Sequence, residues 1–167
     1  MTKFLKKATY QYVQGKASWV RVVKPDVAFN CWAVTIHPTP DSLEKIRDWQ
    51  AEGLKNQLKK DDDGYFCKFR CDVSKQRKDG SVWTFKQPET VDKDGKPMDG
   101  SIIGNGSDVT LKLEVYEHGT PGGGRAIAAR LVGVRVDNLV PFNPETDFTD
   151  EEQARVEGLK EQPEQLF

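Results

Sequence analysis

The sequence is poor in the residues on which many metal and redox sites depend. Its 167 residues include three cysteines and two histidines, and His37 and His118 belong to no pair at metal-ligand spacing. Cys67 and Cys71 lie four residues apart on one face of a predicted strand, too far along it to form a disulfide. The odd cysteine count and this spacing predict reduced thiols in the core and no metal site.

The sequence also lacks long apolar runs. No run approaches the roughly 18 residues that a membrane-spanning helix needs, and no apolar segment follows the charged N-terminus MTKFLKKATY. We therefore expect neither a membrane anchor nor a secretory signal. Hydrophobic residues make up 37% of the chain and charged residues 31%, which is typical of a soluble protein with one sizeable core in a cytosol-like compartment.

Motifs for enzymatic chemistry are incomplete. The segment DKDG at 92–95 mimics the start of a calcium-binding loop, but Pro97 interrupts it and Ile103 occupies the position that requires Glu. The segment GGGR at 122–125 lacks the lysine and hydroxyl of a phosphate-binding loop, so it predicts a flexible hairpin tip. No Ser/His/Asp set or pair of catalytic carboxylates can be placed. The sequence therefore predicts a protein that is not an enzyme and needs no cofactor.

Charge is divided unevenly along the chain. Residues 145–167 carry eight acidic and two basic side chains, a net charge of −6, whereas residues 1–144 carry a net charge of +5. This division predicts a basic domain over 1–144 and an acidic tail over 145–167, and it points to a polyanionic partner. Thr149 and Glu152 form a capping box, so part of the tail is predicted to form a short helix before Pro163.

Alternation of apolar and polar residues dominates the basic domain. It predicts strands over residues 17–23, 27–36, 64–73, 81–87, 109–117 and 127–136. A helix is predicted between the second and third strands, with Thr39 as N-cap, Pro40 at its first position and KKDDDG at its end. Gly104 and Gly106 of IGNGS are predicted to adopt positive φ in a turn. The fold class is mainly β, a five- to six-stranded OB-type barrel with one inserted α-helix, with a β-sandwich as the alternative.

The stretch GYFCKFRCDV at 64–73 interleaves aromatic rings with cations. Strand alternation sends Tyr65, Cys67, Phe69, Cys71 and Val73 to one face, the predicted core, and Phe66, Lys68, Arg70 and Asp72 to the other. If the strand pairs with 81–87 through a two- or four-residue turn at Asp79-Gly80, odd residues oppose even ones. Phe66, Lys68 and Arg70 then share the outer face with Trp83 and Phe85, whereas a three-residue loop reverses the faces.

An outer face of rings and cations is suited to an unpaired nucleic acid strand. Unstacked bases can stack on aromatic rings, and Lys and Arg neutralise phosphates, whereas a duplex offers no free base faces. The candidate contacts for single-stranded DNA are Trp19, Arg21, Phe66, Lys68, Arg70, Trp83, Phe85 and Lys86, with Lys112, Arg125 and Arg130 as candidate backbone contacts. Lys86 falls on the opposite face from Phe85.

The run SIIGNGSDVTLKLEVYEH at 101–118 resembles the I-G-N-G-S stretch and following strand of bacteriophage single-stranded DNA-binding proteins, particularly the podoviral replication type. The order of the inserted helix, the aromatic and basic strand pair, the glycine-rich loop and an acidic tail ending in Phe167 is also similar. The resemblance implies an OB-fold protein in the cytoplasm of an infected bacterium. There it would coat single-stranded DNA during phage replication and recombination, protect it and aid annealing.

In that family the acidic tail binds the polymerase and helicase and competes with DNA for the binding cleft. By resemblance, Asp150, Glu151, Glu152 and Phe167 are candidate partner contacts, although Arg155 and Lys160 dilute the negative charge of this tail. A second copy of the chain is a further candidate partner. Two alternatives remain: a metal-dependent nuclease or other replication enzyme, and a β-sandwich that binds a protein or a sugar.

Overall fold

A computed structural model of the chain describes residues 8–26, 30–76, 78–119 and 122–142. In these ranges one α-helix, α1 (Pro40–Ala51), lies among nine strands, and a 3-10 turn (Gly100–Ile102) precedes the eighth strand. The strands are β1 (Thr9–Asp26), β2 (Cys31–Pro38), β3 (Lys59–Asp61), β4 (Gly64–Asp72), β5 (Ser74–Gln76), β6 (Val82–Thr84), β7 (Glu89–Asp92), β8 (Asp108–Gly119) and β9 (Arg125–Asn138).

Five of these strands close into a barrel. β1 is long enough to pair antiparallel with β8 through its first half and with β2 through its second half. β4 pairs with β2, β9 pairs with β8, and a parallel contact between β4 and β9 completes the circle. β3 and β7 extend the sheet outside the barrel, and β5 and β6 form a separate ribbon. The predicted mainly β, OB-type barrel is confirmed, and the β-sandwich alternative is wrong.

Strand alternation fills the barrel interior as the sequence predicts. Cys67, Phe69 and Cys71 of β4 are buried and oppose apolar residues of β2, and all three cysteines are reduced. Burial raises the pKa of the Cys67 thiol to about 12. Tyr65 departs from the prediction because it lies at the start of β4, where the residue is 38% exposed and its ring is 5.0 Å from the Arg47 guanidinium.

Helix α1 begins where the sequence predicts and ends earlier. The Thr39 hydroxyl accepts a hydrogen bond from the Ser42 N–H at 3.4 Å, with Pro40 at the first helical position. After Ala51 the chain turns through Gly53, whose φ of +105° breaks the helix. The KKDDDG segment, expected to end the helix, instead forms β3 and the turn into β4. Among the described residues no helix is long and apolar enough to cross a membrane.

The IGNGS turn closes against the end of the barrel through two glycines with different roles. Gly106 has the predicted positive φ, +94°. Gly104 does not, and the prediction for it is wrong; a Cβ there would lie 2.6 Å from the Val140 carbonyl oxygen. The buried Ser107 hydroxyl donates to the Gly104 carbonyl at 2.9 Å and accepts from the Val140 N–H at 2.9 Å. Close backbone approach therefore explains Gly104.

Candidate nucleic-acid interface

The hairpin after β4 has a different register from the predicted one. β4 ends at Asp72, and β6 pairs with β5 rather than with β4, placing Lys75 opposite Trp83. Odd residues thus oppose odd ones, so the predicted pairing of 64–73 with 81–87 is wrong. Five residues separate β5 from β6, and within this loop the Asp79 carboxylate accepts hydrogen bonds from both the N–H and the hydroxyl of Ser81, at 2.9 and 2.6 Å. Loop length decides the parity of a hairpin.

The ribbon nevertheless brings aromatic rings beside the cations of the barrel. Trp83 is 50% exposed, and its ring centroid lies 6.5 Å from that of Phe85 in an edge-to-face arrangement. Phe85 is half-buried, packs against the core, and lies under the Arg130 guanidinium at 5.7 Å. Trp83 is therefore the exposed ring of the pair, and Phe85 is partly a core residue.

The outer face of β4 has the predicted composition. Phe66 and Lys68 are half-buried and Arg70 is exposed, on the opposite side of the strand from Cys67 and Phe69. The Phe66 ring lies 5.5 Å from the ring of His37 on β2. Register across β2 places Thr35 opposite Lys68, so the cations of β4 face small or polar neighbours. One half-exposed ring and two cations therefore line this strand.

Three arginines lie in one row across the barrel. Register pairs Arg21 of β1 with Ala33 of β2, Ala33 with Arg70 of β4, and Arg70 with Arg130 of β9. Adjacent strands are about 4.8 Å apart, so the row, defined as Arg21, Arg70 and Arg130, crosses four strands. Ala33 between the first two has a side chain too short to separate them. We call this set the arginine row; the three backbone positions are aligned across the strands, and the Arg130 guanidinium turns towards Glu114 and Cys71.

The neighbours of the row hold it in place. The Arg130 guanidinium contacts the Glu114 carboxylate at 3.2 Å and the Cys71 sulfur at 3.9 Å. Trp19, two residues before Arg21, adopts a φ of +50° at an irregularity in the pairing of β1 with β2. Its N–H donates to the Asn105 side chain at 2.9 Å, which holds this strained residue. Trp19 is half-buried and lies close to the row in the chain.

Three predicted cations lie apart from the arginine row. Lys86 pairs with Glu89 at 2.8 Å, a hydrogen bond that raises the pKa of Lys86 and lowers that of Glu89. Lys112 lies on the outer face of β8 with its Nζ 4.3 Å from the Tyr10 ring centroid. Arg125 lies at the start of β9 and pairs with Glu117. The predicted tail contacts Asp150, Glu151, Glu152 and Phe167 lie outside the described residues.

The structure also assembles a group of metal-ligand residues that spacing in the sequence did not reveal. His37, Asp61 and Asp63 place one ligand-type atom each within 4.8 Å of one another. His37 Nε2 contacts Asp61 at 2.9 Å, and this hydrogen bond lowers the pKa of the Asp61 carboxyl. His37 lies near the end of β2, and the two aspartates lie at the end of β3 and in the turn after it, 24 or more positions from His37, so no local motif predicts the group.

Comparison with known proteins gives structural relatives. No family profile and no curated protein sequence matches the chain. The single-stranded DNA-binding protein gp2.5 of bacteriophage T7 superposes with a TM-score of 0.58 at 19% identity, over 89% of this chain and 94% of that one. The single-stranded DNA-binding protein of bacteriophage Enc34 gives a TM-score of 0.53 at 16% identity, over 90% and 96%.

The Enc34 protein is also known in complex with single-stranded DNA, and that structure matches with a TM-score of 0.53 at 15% identity, over 85% of this chain and 97% of that one. These relatives match nearly their whole length. At this level of identity the likeness concerns the arrangement of strands rather than individual residues. The chain therefore has the OB-type barrel fold of bacteriophage single-stranded DNA-binding proteins.

Proposed function

We propose that this protein binds single-stranded DNA without sequence preference. The observation that carries the proposal is the arginine row beside the exposed Trp83 ring. The row supplies positive charge across the sheet, and the exposed Trp83 ring and the half-buried Phe66 ring supply stacking surfaces. Lys68 adds a further cation on the same face. The fold that the chain shares with phage single-stranded DNA-binding proteins supports this assignment.

The chemistry favours an unpaired strand over a duplex. Stacking on an aromatic side chain stabilises an unpaired base by about 1–3 kcal/mol and does not depend on which base it is. Arginine contacts to phosphates release counterions, which adds affinity that depends on salt but not on sequence. A duplex keeps its base faces covered, so only the second contribution remains available to it. The same surface can therefore distinguish paired from unpaired DNA.

The biological role that fits is protection of exposed strands during phage replication and recombination, in the cytoplasm of the host. In this role residues 1–144 form the DNA-binding domain. The acidic tail at 145–167 contacts a polymerase or helicase and competes with DNA for the basic surface, which its net charge of −6 favours. A second copy of the chain is the other proposed partner. The protein acts by binding and not by catalysis.

A titration with oligo(dT) followed by tryptophan emission tests the proposed function. Trp83 is half-exposed, so stacking of a base on it should quench emission. The logarithm of the affinity should fall linearly with the logarithm of salt concentration, by about 0.7 for each phosphate contacted. A duplex of equal length is the control and should bind more weakly. Unchanged emission and no binding at low salt would overturn the proposal.

A nuclease is the second candidate, and the group formed by His37, Asp61 and Asp63 is the observation that favours it. Carboxylate and imidazole ligands suit divalent ions that activate water for phosphodiester hydrolysis. Incubation of labelled single-stranded DNA with the protein and Mg²⁺ or Mn²⁺ tests this directly. Metal-dependent cleavage that is lost in Asp63→Asn would establish the nuclease; intact DNA under these conditions would exclude it.

A further inference from the structure

A second aromatic and basic surface lies on the outer face of β1 and β8. Tyr10 and Tyr12 of β1 are 54% and 50% exposed. The residues that alternate with them point to the other side of the strand, where Val13 is fully buried. Lys112 of β8 stands opposite Tyr12, and its Nζ lies over the Tyr10 ring at 4.3 Å. We call Tyr10, Tyr12 and Lys112 the tyrosine surface. It has the combination of ring and cation that favours an unpaired nucleic acid strand.

The charges around the tyrosine surface favour an anionic ligand. Lys45 of α1 donates to the Tyr12 carbonyl at 3.0 Å, which places a second ammonium group beside the backbone of that residue. Two carboxylates of neighbouring strands have cationic partners: Glu89 pairs with Lys86 at 2.8 Å, and Glu114 pairs with Arg130 at 3.2 Å. Lys45 and Lys112 add two positive charges near the two tyrosines.

The tyrosine surface is continuous with the arginine row. Tyr10 stands opposite Glu114, Glu114 stands opposite Arg130, and Arg130 stands opposite Arg70. Three strand spacings of about 4.8 Å put Tyr10 roughly 15 Å from Arg70 along the barrel surface. Arg130 belongs to the arginine row and, through Glu114, also adjoins the tyrosine surface. A DNA strand that crosses the row can therefore extend onto the two tyrosines.

We infer that single-stranded DNA continues past Arg130 onto the tyrosine surface, where a base stacks on Tyr12 and phosphates contact Lys112 and Lys45. This inference rests on the proposed function and extends the binding path around the barrel. Tyr12 is the stacking residue because the Lys112 ammonium covers the Tyr10 ring. When a phosphate binds Lys112, that ammonium moves off Tyr10 and uncovers a second ring.

Binding of an oligo(dT) of about 16 nucleotides, at the upper end of what one OB fold covers, tests the inference by fluorescence anisotropy. Tyr12→Ala should lower the affinity roughly 5- to 150-fold, the equivalent of one lost stacking contact. Tyr12→Phe keeps the ring and should keep the affinity. Lys112→Gln should reduce the slope of log affinity against log salt by about 0.7, the value for one phosphate.

Tyr65→Ala is the matched control. Tyr65 is also an exposed tyrosine beside cations, with Lys60 at 5.5 Å, but it lies at the start of β4 near α1 and away from the path. Its removal should leave the affinity unchanged. An equal loss in Tyr65→Ala and Tyr12→Ala would overturn the inference, because the effect would then not be local.

The remaining outcomes separate this inference from the proposed function. If Arg70→Ala weakens binding while Tyr12→Ala and Lys112→Gln do not, DNA stops at the arginine row and the tyrosine surface belongs to another partner. If the unchanged protein does not bind the oligonucleotide, the proposed function fails and this inference fails with it. Thermal unfolding of each variant checks that it is folded. Lys112→Gln removes the charge and keeps a side chain of similar length, so it still tests the inference if Tyr12→Ala does not fold.

Discussion

Trp83 and Phe85 lie two residues apart and carry different parts of the proposed function. The Trp83 ring is half-exposed, whereas Phe85 packs against the core with the Arg130 guanidinium over it. A base can therefore stack on Trp83 without disturbing the barrel. Phe85 supports the Trp83 ring from the side and positions Arg130, so its contribution to binding passes through those two residues.

Replacement of Trp83 by Ala should weaken binding of every oligonucleotide by about 1–3 kcal/mol, because stacking is tolerant of base identity. Trp83→Phe, which keeps a ring, should lose less. Parallel titrations with oligo(dT), oligo(dA) and oligo(dC) measure this effect. A loss confined to one base would show that Trp83 reads sequence, contrary to the prediction.

The buried Cys67 thiol makes the free energy of unfolding depend on pH in the alkaline range. Its pKa is raised from 9.0 to about 12 by burial, so the folded chain keeps the thiol proton where the unfolded chain has lost it. The free energy of unfolding should therefore be independent of this group below pH 9 and should decrease as the pH rises from 9 towards 12.

Urea unfolding at about pH 8 and about pH 10 measures this effect of Cys67, with Cys67→Ala for comparison. The difference in stability between the two pH values should be smaller in the variant, since other titrating groups are common to both proteins. Equal pH dependence of the two proteins would show that the thiol does not contribute.

At the scale of elements, local chemistry predicts where helices and strands occur better than it predicts which strands pair. The start of α1 follows from a cap and a proline in adjacent positions, and β8 and β9 follow from alternation within each strand. The end of α1 was misplaced because Leu54 is buried by packing outside the helix and so continues the apolar pattern. The β5–β6 register was misplaced because one residue of loop length reverses the parity.

The arrangement of the candidate site illustrates the same limit. The sequence names Arg21, Arg70 and Arg130 individually, since each lies on a predicted strand. Their alignment depends on pairing between strands that are far apart in the chain, including the parallel contact of β4 with β9. The group of His37, Asp61 and Asp63 was missed for this reason as well. No local sequence pattern predicts the register between strands that are distant in the chain.

The N-cap of α1 gives a test at this scale. Thr39→Ala removes the hydroxyl that accepts from the Ser42 N–H, and the free energy of unfolding should fall by about 1 kcal/mol. Thr39→Ser keeps the hydroxyl and should restore most of the stability. Urea denaturation followed by far-UV circular dichroism provides the measurement. Equal stability of Thr39→Ala and the unchanged protein would mean that the 3.4 Å contact contributes nothing.

At the scale of the whole molecule, charge is the property that the tail changes most. Removal of residues 145–167 converts a net charge of −1 into +5. The shortened protein should bind single-stranded DNA more tightly, with the largest gain at low salt, because the tethered anion no longer competes. Anisotropy titrations at several salt concentrations measure the gain. Weaker binding by the shortened protein would contradict competition by the tail.

The seam of the barrel lies under the proposed ligand. β4 and β9 meet at one registered pair, Arg70 and Arg130, so the joint that closes the circle has little backbone pairing. Sparse pairing favours local opening, and a ligand bound across the joint would oppose it. Ligand occupancy should then rigidify the joint, and amide hydrogen exchange around these two arginines should slow when DNA is bound. Bound nucleic acid would in this way help to hold the barrel closed.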